Sequence, residues 1–266
     1  MTGVQTCALP ICFTADPKAA PPVAVYAAAP LVRAAAGRAF ARAGLFARTE
    51  GEPAGMDLAP GELGVCLTED GEGCTLCDAR GALSEGEQQL LMAWTLLELG
   101  ERTLLLPNQA TRAAQALAAA RGARVEYVSG EGALWMNAMA RRFPTQFALH
   151  SDGLQAALAM LSALAEAGLT LRDWLRDMPT VSRRSRSVAV PPSQAGRILR
   201  AMARRDKHVE FGGGMRLSRK DGWAWICPDE NKPRLRIVAE SQSEEYAREL
   251  CDFCERELKR IAGEKS

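Results

Sequence analysis

The stretch Asp221-Gly-Trp-Ala-Trp-Ile-Cys-Pro-Asp-Glu-Asn-Lys-Pro-Arg-Leu-Arg-Ile-Val-Ala-Glu240 decides the fold of this chain. Residues 223–227 and 234–239 are rich in aromatic and β-branched side chains, and both runs predict strands. Between them, Pro228 and Pro233 enclose polar residues, which is typical of a loop. The stretch therefore predicts two strands joined by a loop.

A helix is expected directly after these strands. The run Ser241-Gln-Ser-Glu244 has the spacing of a capping box, in which a serine hydroxyl and a glutamate carboxylate each bond to a backbone N–H. Apolar side chains then recur at helical spacing as far as Ile261. These features predict a small C-terminal α+β unit.

Short apolar strands and helices alternate upstream of this unit. Residues 23–26 and 63–67 predict buried strands, the alanine-rich residues 31–43 predict a helix between them, and residues 50–61 predict a loop. This alternation is typical of a parallel α/β layer.

A second set of alternating elements follows. The capping box Ser84-Glu-Gly-Glu87 begins a predicted helix, and residues 103–106 and 124–128 predict strands on either side of a helix at 109–121. A long apolar helix face then includes Leu154, Leu158, Leu161 and Leu164.

The C-terminal unit resembles the C-terminal domain of the α-D-phosphohexomutases, the phosphoglucomutase and phosphomannomutase family. In that family a loop of the pattern Arg-Pro-Ser-Asn/Gly-Thr-Glu-Pro grips the substrate phosphate. The loop here is Cys227-Pro-Asp-Glu-Asn-Lys-Pro233, so both prolines are in register while the Arg, Ser and Thr are replaced. The resemblance leaves Asn231, Lys232 and Arg234 as candidate phosphate-binding residues.

A second loop carries the same resemblance. In the family a strand of the type Gly-Ile-Ala-Phe leads into Asp-Gly-Asp-x-Asp-Arg, whose alternating aspartates hold Mg²⁺ through carboxylate oxygens. Here Gly64-Val-Cys-Leu67 matches the strand, the ligand positions become Thr68, Asp70 and Glu72, and the Arg becomes Gly73. We therefore expect Mg²⁺ binding to be weak or absent. The alternative interpretation is a solvated acidic turn.

The resemblance extends from about residue 23 to residue 261 and implies the fold class. We expect two mixed or parallel-sheet α/β layers followed by a small α+β domain. The implied boundaries are 13–80 for a shortened second family domain, 81–180 for the third and 181–266 for the C-terminal domain. Residues 1–12 look like the translation of a sequencing-adapter oligonucleotide and are excluded from fold prediction.

The family's reaction moves phosphate between the 1- and 6-hydroxyls of a hexose through a phosphoserine. The serine loop belongs to a first domain, which we expect upstream of this chain. The basic residues and the sugar loop of the third domain have no counterpart here, so we assign no catalytic residue and predict little or no activity. A phosphosugar is the implied ligand. The alternatives are a non-catalytic interaction or regulatory module, and a working phosphotransferase with different loops.

Composition excludes several function classes. The 266 residues are 47% hydrophobic and 24% charged, with a formal net charge of +1, which predicts a soluble globular protein. This charge gives no reason to expect nucleic acid or an anionic membrane as a partner. No apolar run reaches the roughly 20 residues of a membrane-spanning helix. We expect a cytoplasmic protein with reduced thiols.

Two C-x-x-C pairs, Cys74–Cys77 and Cys251–Cys254, raise the question of zinc or redox chemistry. They lie much further apart than the roughly 15 to 20 residues of a zinc ribbon. Cys251 and Cys254 also fall on the predicted terminal helix, where small apolar side chains pack well. We interpret the cysteines as packing residues, with a zinc or thiol site as the alternative.

Three further motifs have a functional and a structural interpretation. Gly130-Glu-Gly132 suggests a dinucleotide loop but lacks the third glycine, so a tight turn is favoured. His150, beside Ser151 and Asp152, suggests catalysis, although we expect a surface histidine before a helix cap. The basic run 183–186 suggests phosphate binding, although we expect a solvated strand end that begins a linker.

Overall fold

The computed structural model describes residues 15–51, 57–128, 133–179, 181–206, 209–211, 213–229 and 232–263. They divide into two compact units. Unit 1 comprises the described residues up to Leu104, Leu117–Arg124 and Ala138–Met178. Unit 2 comprises Leu105–Ala116, Val125–Asn137 and the described residues from Pro179 onwards. The domain boundaries inferred from the sequence stay a prediction.

Strands and helices alternate along the first part of the chain. They are β1 (Val23–Tyr26), α1 (Pro30–Arg42), β2 (Ala47–Glu50), β3 (Leu63–Leu67), β4 (Cys74–Asp78), β5 (Gly81–Ala82), α2 (Glu85–Glu98), β6 (Thr103–Pro107), α3 (Arg112–Ala120), β7 (Arg124–Val128), α4 (Ala133–Arg142), α5 (Pro144–Ser151), α6 (Gly153–Glu166) and α7 (Leu171–Asp177). β6 and β7 pair in a two-stranded sheet. Together with α3 and α4, these strands have residues in both units.

Unit 1 contains a five-stranded mixed sheet in the order β2-β1-β3-β4-β5. β1 is parallel to β2 and β3, and β4 is antiparallel to β3 and β5. Val23, Val25 and Val65 are fully buried, and α6 packs against β3 and β4. The predicted mixed α/β layer is therefore confirmed. β2 was not predicted because its sequence, Ala-Arg-Thr-Glu, is mostly polar; pairing with β1 supplies the hydrogen bonds that make it a strand.

Local helix signals account for the helix boundaries of unit 1. The capping box predicted at Ser84 and Glu87 is present with both of its hydrogen bonds. α6 begins with Asp152, whose carboxylate accepts from the N–H groups of Leu154 and Gln155. The chain leaves α6 through Gly168, at φ +64°, a conformation that glycine adopts without steric cost.

Unit 2 contains the remaining elements and a fully antiparallel sheet. The elements are β8 (Ser182–Ala189), α8 (Pro192–Ala203), β9 (Val209–Phe211), β10 (Met215–Ser218), β11 (Gly222–Pro228), β12 (Arg234–Ser241) and α9 (Glu244–Gly263). The sheet order is β8-β12-β11-β10-β9. β11 and β12 confirm the predicted strand pair, and α8 and α9 bury one face of the sheet. Ile198, Ile226, Ile237, Cys254 and Leu258 are fully buried in that core.

One local prediction in unit 2 is wrong in part and another is wrong. The basic run 183–186 lies in a strand with mostly exposed side chains, as predicted, but it does not begin a linker. It is part of edge strand β8, which pairs with β12 over eight positions, because paired backbone groups outweigh the low strand propensity of the arginines. The capping box at Ser241 does not form. Helix α9 begins two residues later, where the Ser243 hydroxyl accepts from the Tyr246 N–H, and the Ser241 hydroxyl instead donates to the Asp221 carbonyl.

In the part of the chain that the structure describes, no single helix is long and apolar enough to cross a membrane. Helices α6 and α7 meet that criterion only as a pair, with a bend of 77° between them.

Candidate functional site

The three predicted metal ligands lie in one turn between β3 and β4. The Thr68 hydroxyl donates to Asp70 Oδ1 at 2.6 Å, and the Glu72 N–H donates to the same oxygen at 3.0 Å. The Thr68 hydroxyl also accepts from the Gly73 N–H at 2.8 Å. The turn is therefore closed by its own hydrogen bonds, and one oxygen of Asp70 is engaged in them.

This arrangement does not fit a three-ligand Mg²⁺ site. The hydrogen bond from Thr68 is the main reason that the pKa of exposed Asp70 lies below its usual value, so the carboxylate charge is stabilised inside the turn. The Thr68 hydroxyl is oriented toward Asp70 as a donor, whereas Mg²⁺ requires converging oxygen acceptors in octahedral geometry. Among the described residues, no cluster of three His, Cys, Asp or Glu side chains could hold a metal ion.

The acidic turn is fixed to the start of helix α6. The Gly153 N–H donates to the Gly71 carbonyl at 2.9 Å. A Cβ atom at position 153 would lie 2.4 Å from the Gly73 carbonyl oxygen, so only glycine permits this contact. Gly153 was not among the predicted functional residues. Its place directly after the capping Asp152 was the available signal.

The loop between β11 and β12 is also closed on itself. Arg234 Nε donates to Asp229 Oδ2 at 2.7 Å, and the Lys232 N–H donates to Asp229 Oδ1 at 3.1 Å. The Asp229 N–H bonds to the Arg234 carbonyl at 3.0 Å. Of the predicted phosphate-binding residues, Arg234 therefore has a carboxylate partner and Lys232 is exposed. Asn231 lies outside the described residues.

Unit 2 also contains a buried charged cluster that the sequence analysis missed. Glu240 is 4% exposed. Its Oε1 accepts from Thr111 Oγ1 at 3.1 Å, from the Arg112 N–H at 2.9 Å and from Trp223 Nε1 at 3.0 Å. Its Oε2 accepts from Arg183 Nε at 2.9 Å. Four donors thus compensate for the burial of one carboxylate.

Two arginines complete this cluster. The guanidinium groups of Arg216 and Arg183 lie 4.5 and 5.4 Å from the ring centroid of Trp223. Arg216 also donates to the Asn108 carbonyl and Arg183 to the Gln109 carbonyl. The cluster therefore anchors the segment that follows β6 onto the C-terminal sheet. It borders a cavity of about 570 Å³ whose lining includes Lys220, Ser243 and Tyr246.

The cysteines do not pair as the C-x-x-C motifs suggest. Cys251 and Cys254 lie in the core between α9 and the sheet, as the packing interpretation predicted, and burial raises their pKa values to about 11 and about 12. Burial likewise raises the pKa of Cys74 to about 12. The Cys77 sulfur lies 3.9 Å from the sulfur of Cys66.

His150 and the glycine motif 130–132 are the two remaining predicted features. His150 lies before the capping Asp152, as predicted, but it is partly buried in the last turn of α5. Desolvation by this burial lowers its pKa to about 4. Gly130-Glu-Gly132 lies outside the described residues.

No family model matches the sequence. Among curated proteins, a phosphoglucosamine mutase of Rhodospirillum rubrum is 29% identical over 220 residues, which cover 73% of this chain and 46% of the relative. A probable phosphoglucosamine mutase of Methanopyrus kandleri is 31% identical over 105 residues, which cover 38% of this chain and 23% of the relative. The matches thus span less than half the length of these relatives.

Solved structures share the fold at low sequence identity. A phosphoglucomutase/phosphomannomutase family protein from Burkholderia thailandensis has a TM-score of 0.75 at 16% identity, covering 92% of this chain and 62% of that one. The N-acetylphosphoglucosamine mutase of Aspergillus fumigatus, in complex with GlcNAc-6P and magnesium, has a TM-score of 0.64 at 11% identity, covering 91% and 62%.

Proposed function

We propose that this chain, which belongs to the α-D-phosphohexomutase family, keeps the scaffold of that family but does not interconvert hexose 1- and 6-phosphates. One observation carries the proposal. In each candidate loop, one charged group that would contact metal or phosphate, Asp70 or Arg234, bonds instead to a partner within its own loop.

The phosphate loop supports the proposal on electrostatic grounds. Phosphoryl transfer depends on positive charge aimed at the phosphate oxygens. Here Asp229 neutralises Arg234 and would itself repel a phosphate dianion. Lys232 is the exposed cation of the described loop residues, and it offers only a point charge in place of a bidentate arginine fork.

The metal loop supports it independently. A hydroxyl replaces one family carboxylate at Thr68, and Glu72 places its carboxylate one methylene further from the backbone than aspartate would. Because Asp70 is already engaged by Thr68 and the Glu72 N–H, we propose that Mg²⁺ is held weakly or not at all.

A coupled assay tests this proposal. The purified chain would be supplied with Mg²⁺, a hexose bisphosphate activator, and either glucose 1-phosphate or glucosamine 1-phosphate, since the curated relatives are phosphoglucosamine mutases. We expect no turnover by this chain. A bacterial phosphoglucosamine mutase, assayed in a parallel reaction of the same composition, should be active. Turnover that is lost in Lys232→Ala but kept in Lys259→Ala, an exposed lysine of α9, would overturn the proposal. A thermal unfolding transition would verify that the protein assayed is folded.

The second candidate function is a non-catalytic interaction or regulatory module. The tightly bonded Glu240 cluster and the close contact at Gly153 favour it, because the scaffold is preserved where the loops are not. Calorimetric titration with glucosamine 6-phosphate distinguishes the two candidate functions. Saturable binding supports a phosphosugar-binding protein without turnover, whereas no binding supports the interaction module.

A further inference from the structure

Two cysteines face each other on adjacent strands of unit 1. β3 and β4 are antiparallel, with Gly64 opposite Cys77 and Cys66 opposite Thr75. Cys66 and Cys77 therefore occupy diagonal positions on the same face of the sheet. Their sulfur atoms are 3.9 Å apart, which is van der Waals contact.

Glycine at position 64 makes this contact possible. A Cβ atom there would lie 2.1 Å from the Cys77 sulfur and 3.4 Å from the methyl groups of Leu58. Any larger residue would occupy the space into which the Cys77 side chain extends. The missing side chain therefore lets Cys77 reach across β3 toward Cys66.

The two thiols differ in exposure. Cys77 is fully buried, whereas Cys66 is partly exposed and can be reached by a small molecule. The register places Cys74 opposite Leu67, on the other face of the sheet from Cys77. Among the described cysteines, Cys66 is thus the partner of Cys77, and its C-x-x-C neighbour is not.

We propose that Cys66 and Cys77 form a redox-active dithiol, which a low-molecular-weight disulfide oxidises to an intrachain disulfide between β3 and β4. The Cys66 sulfur, as thiolate, attacks one sulfur of the oxidant, so that a mixed disulfide forms and one thiolate leaves. The Cys77 sulfur, after losing its proton, then attacks the Cys66 sulfur and expels the second thiolate. The two cysteines lose two electrons and two protons, and the oxidant accepts them.

The sulfurs must approach from 3.9 Å to about 2.05 Å for this bond to form. The proposal therefore requires rotation of the partly exposed Cys66 side chain and a small shift of β3 at Gly64. The new bond would join the two strands that enclose the acidic turn 68–73.

Peptide mapping tests the proposal. The folded chain would be incubated with oxidised glutathione, quenched with N-ethylmaleimide and digested with a protease that cleaves after glutamate. Cleavage after Glu69 and Glu72 separates Cys66 from Cys74 and Cys77, which trypsin would leave in one peptide. We expect a cross-link between the two fragments that dithiothreitol reverses.

Three variants assign the bond. Cys74→Ser should keep the cross-link, Cys77→Ser should stop at glutathione attached to Cys66, and Cys66→Ser should leave Cys77 unmodified in the folded protein. A cross-link that disappears in Cys74→Ser, or stable glutathionylation of wild-type Cys66 without a cross-link, would overturn the proposal. The wild-type and Cys74→Ser results suffice if another variant fails to fold.

Discussion

Arg234 Nε lies 2.7 Å from Asp229 Oδ2, so an ion pair closes the loop between β11 and β12 at the position where the family grips phosphate. The Asp229 side chain is only 10% exposed, whereas the Arg234 side chain is 36% exposed, so the carboxylate lies inside the loop and the guanidinium at its surface. The carboxylate of Asp229 therefore supplies the anion that pairs with Arg234 in this loop.

Removing that anion should restore affinity for phosphate. Asp229→Ser eliminates a repulsive carboxylate and releases Arg234 to bond with an oxyanion, an interaction worth about 1.5 to 3 kcal/mol. We expect inorganic phosphate to bind at least about tenfold more tightly, measured by calorimetry or chemical-shift titration. Asp252→Ser, which removes a carboxylate on α9, is the charge-matched control. Equal affinities in the two variants would contradict the prediction.

The acidic turn should bind Mg²⁺ in the millimolar range or more weakly. The double variant Thr68→Asp, Glu72→Asp places three aspartates at alternating positions and removes the hydroxyl that donates to Asp70. We expect this variant to bind Mg²⁺ at least about tenfold more tightly in a calorimetric titration. Thr68→Asn with Glu72→Gln is the uncharged control. A wild-type dissociation constant below about 10 μM would show that the prediction is wrong.

Glu240 should be important for stability. Glu240→Gln places an amide N–H₂ beside the Arg183 guanidinium and leaves that cation without its buried partner. We expect the free energy of unfolding to fall by about 3 kcal/mol in urea titrations. Glu244→Gln, which removes the exposed partner of Arg184, should cost less than about 1 kcal/mol. Similar losses in both variants would mean that burial does not strengthen the Glu240 contacts.

His150 should make stability depend on pH. Its pKa is about 4 in the folded chain against 6.5 in the unfolded one, so the unfolded state binds more protons between these values. The contribution of neutral His150 to stability is therefore fully present above about pH 6.5 and is lost as the pH decreases toward 4. We expect His150→Gln to lose less stability than wild type between pH 7.5 and pH 5, by about 2 kcal/mol in urea titrations. Parallel losses in both proteins would show that His150 does not stay neutral in the folded chain at pH 5.

Much of the architecture could be predicted because its signals are local. The aromatic and β-branched runs gave β11 and β12 with bounds within two residues of those observed, and the spacing of Ser84 and Glu87 gave the start of α2. Such signals depend on the geometry of a few consecutive residues. They fail where pairing decides the conformation, as for the polar strand β2 and the arginine-containing strand β8.

The sequence by itself determined the fold class, the family resemblance and the positions of the two altered loops. Only the tertiary structure decided how the charges and thiols pair. Glu240 bonds to Thr111, which lies 129 residues away in the sequence, and to Arg183, which lies 57 residues away. The Cys77 sulfur contacts that of Cys66 on the neighbouring strand, and not that of Cys74 three residues away. The physical reason is that strand register and sheet pairing bring together side chains that no local periodicity relates.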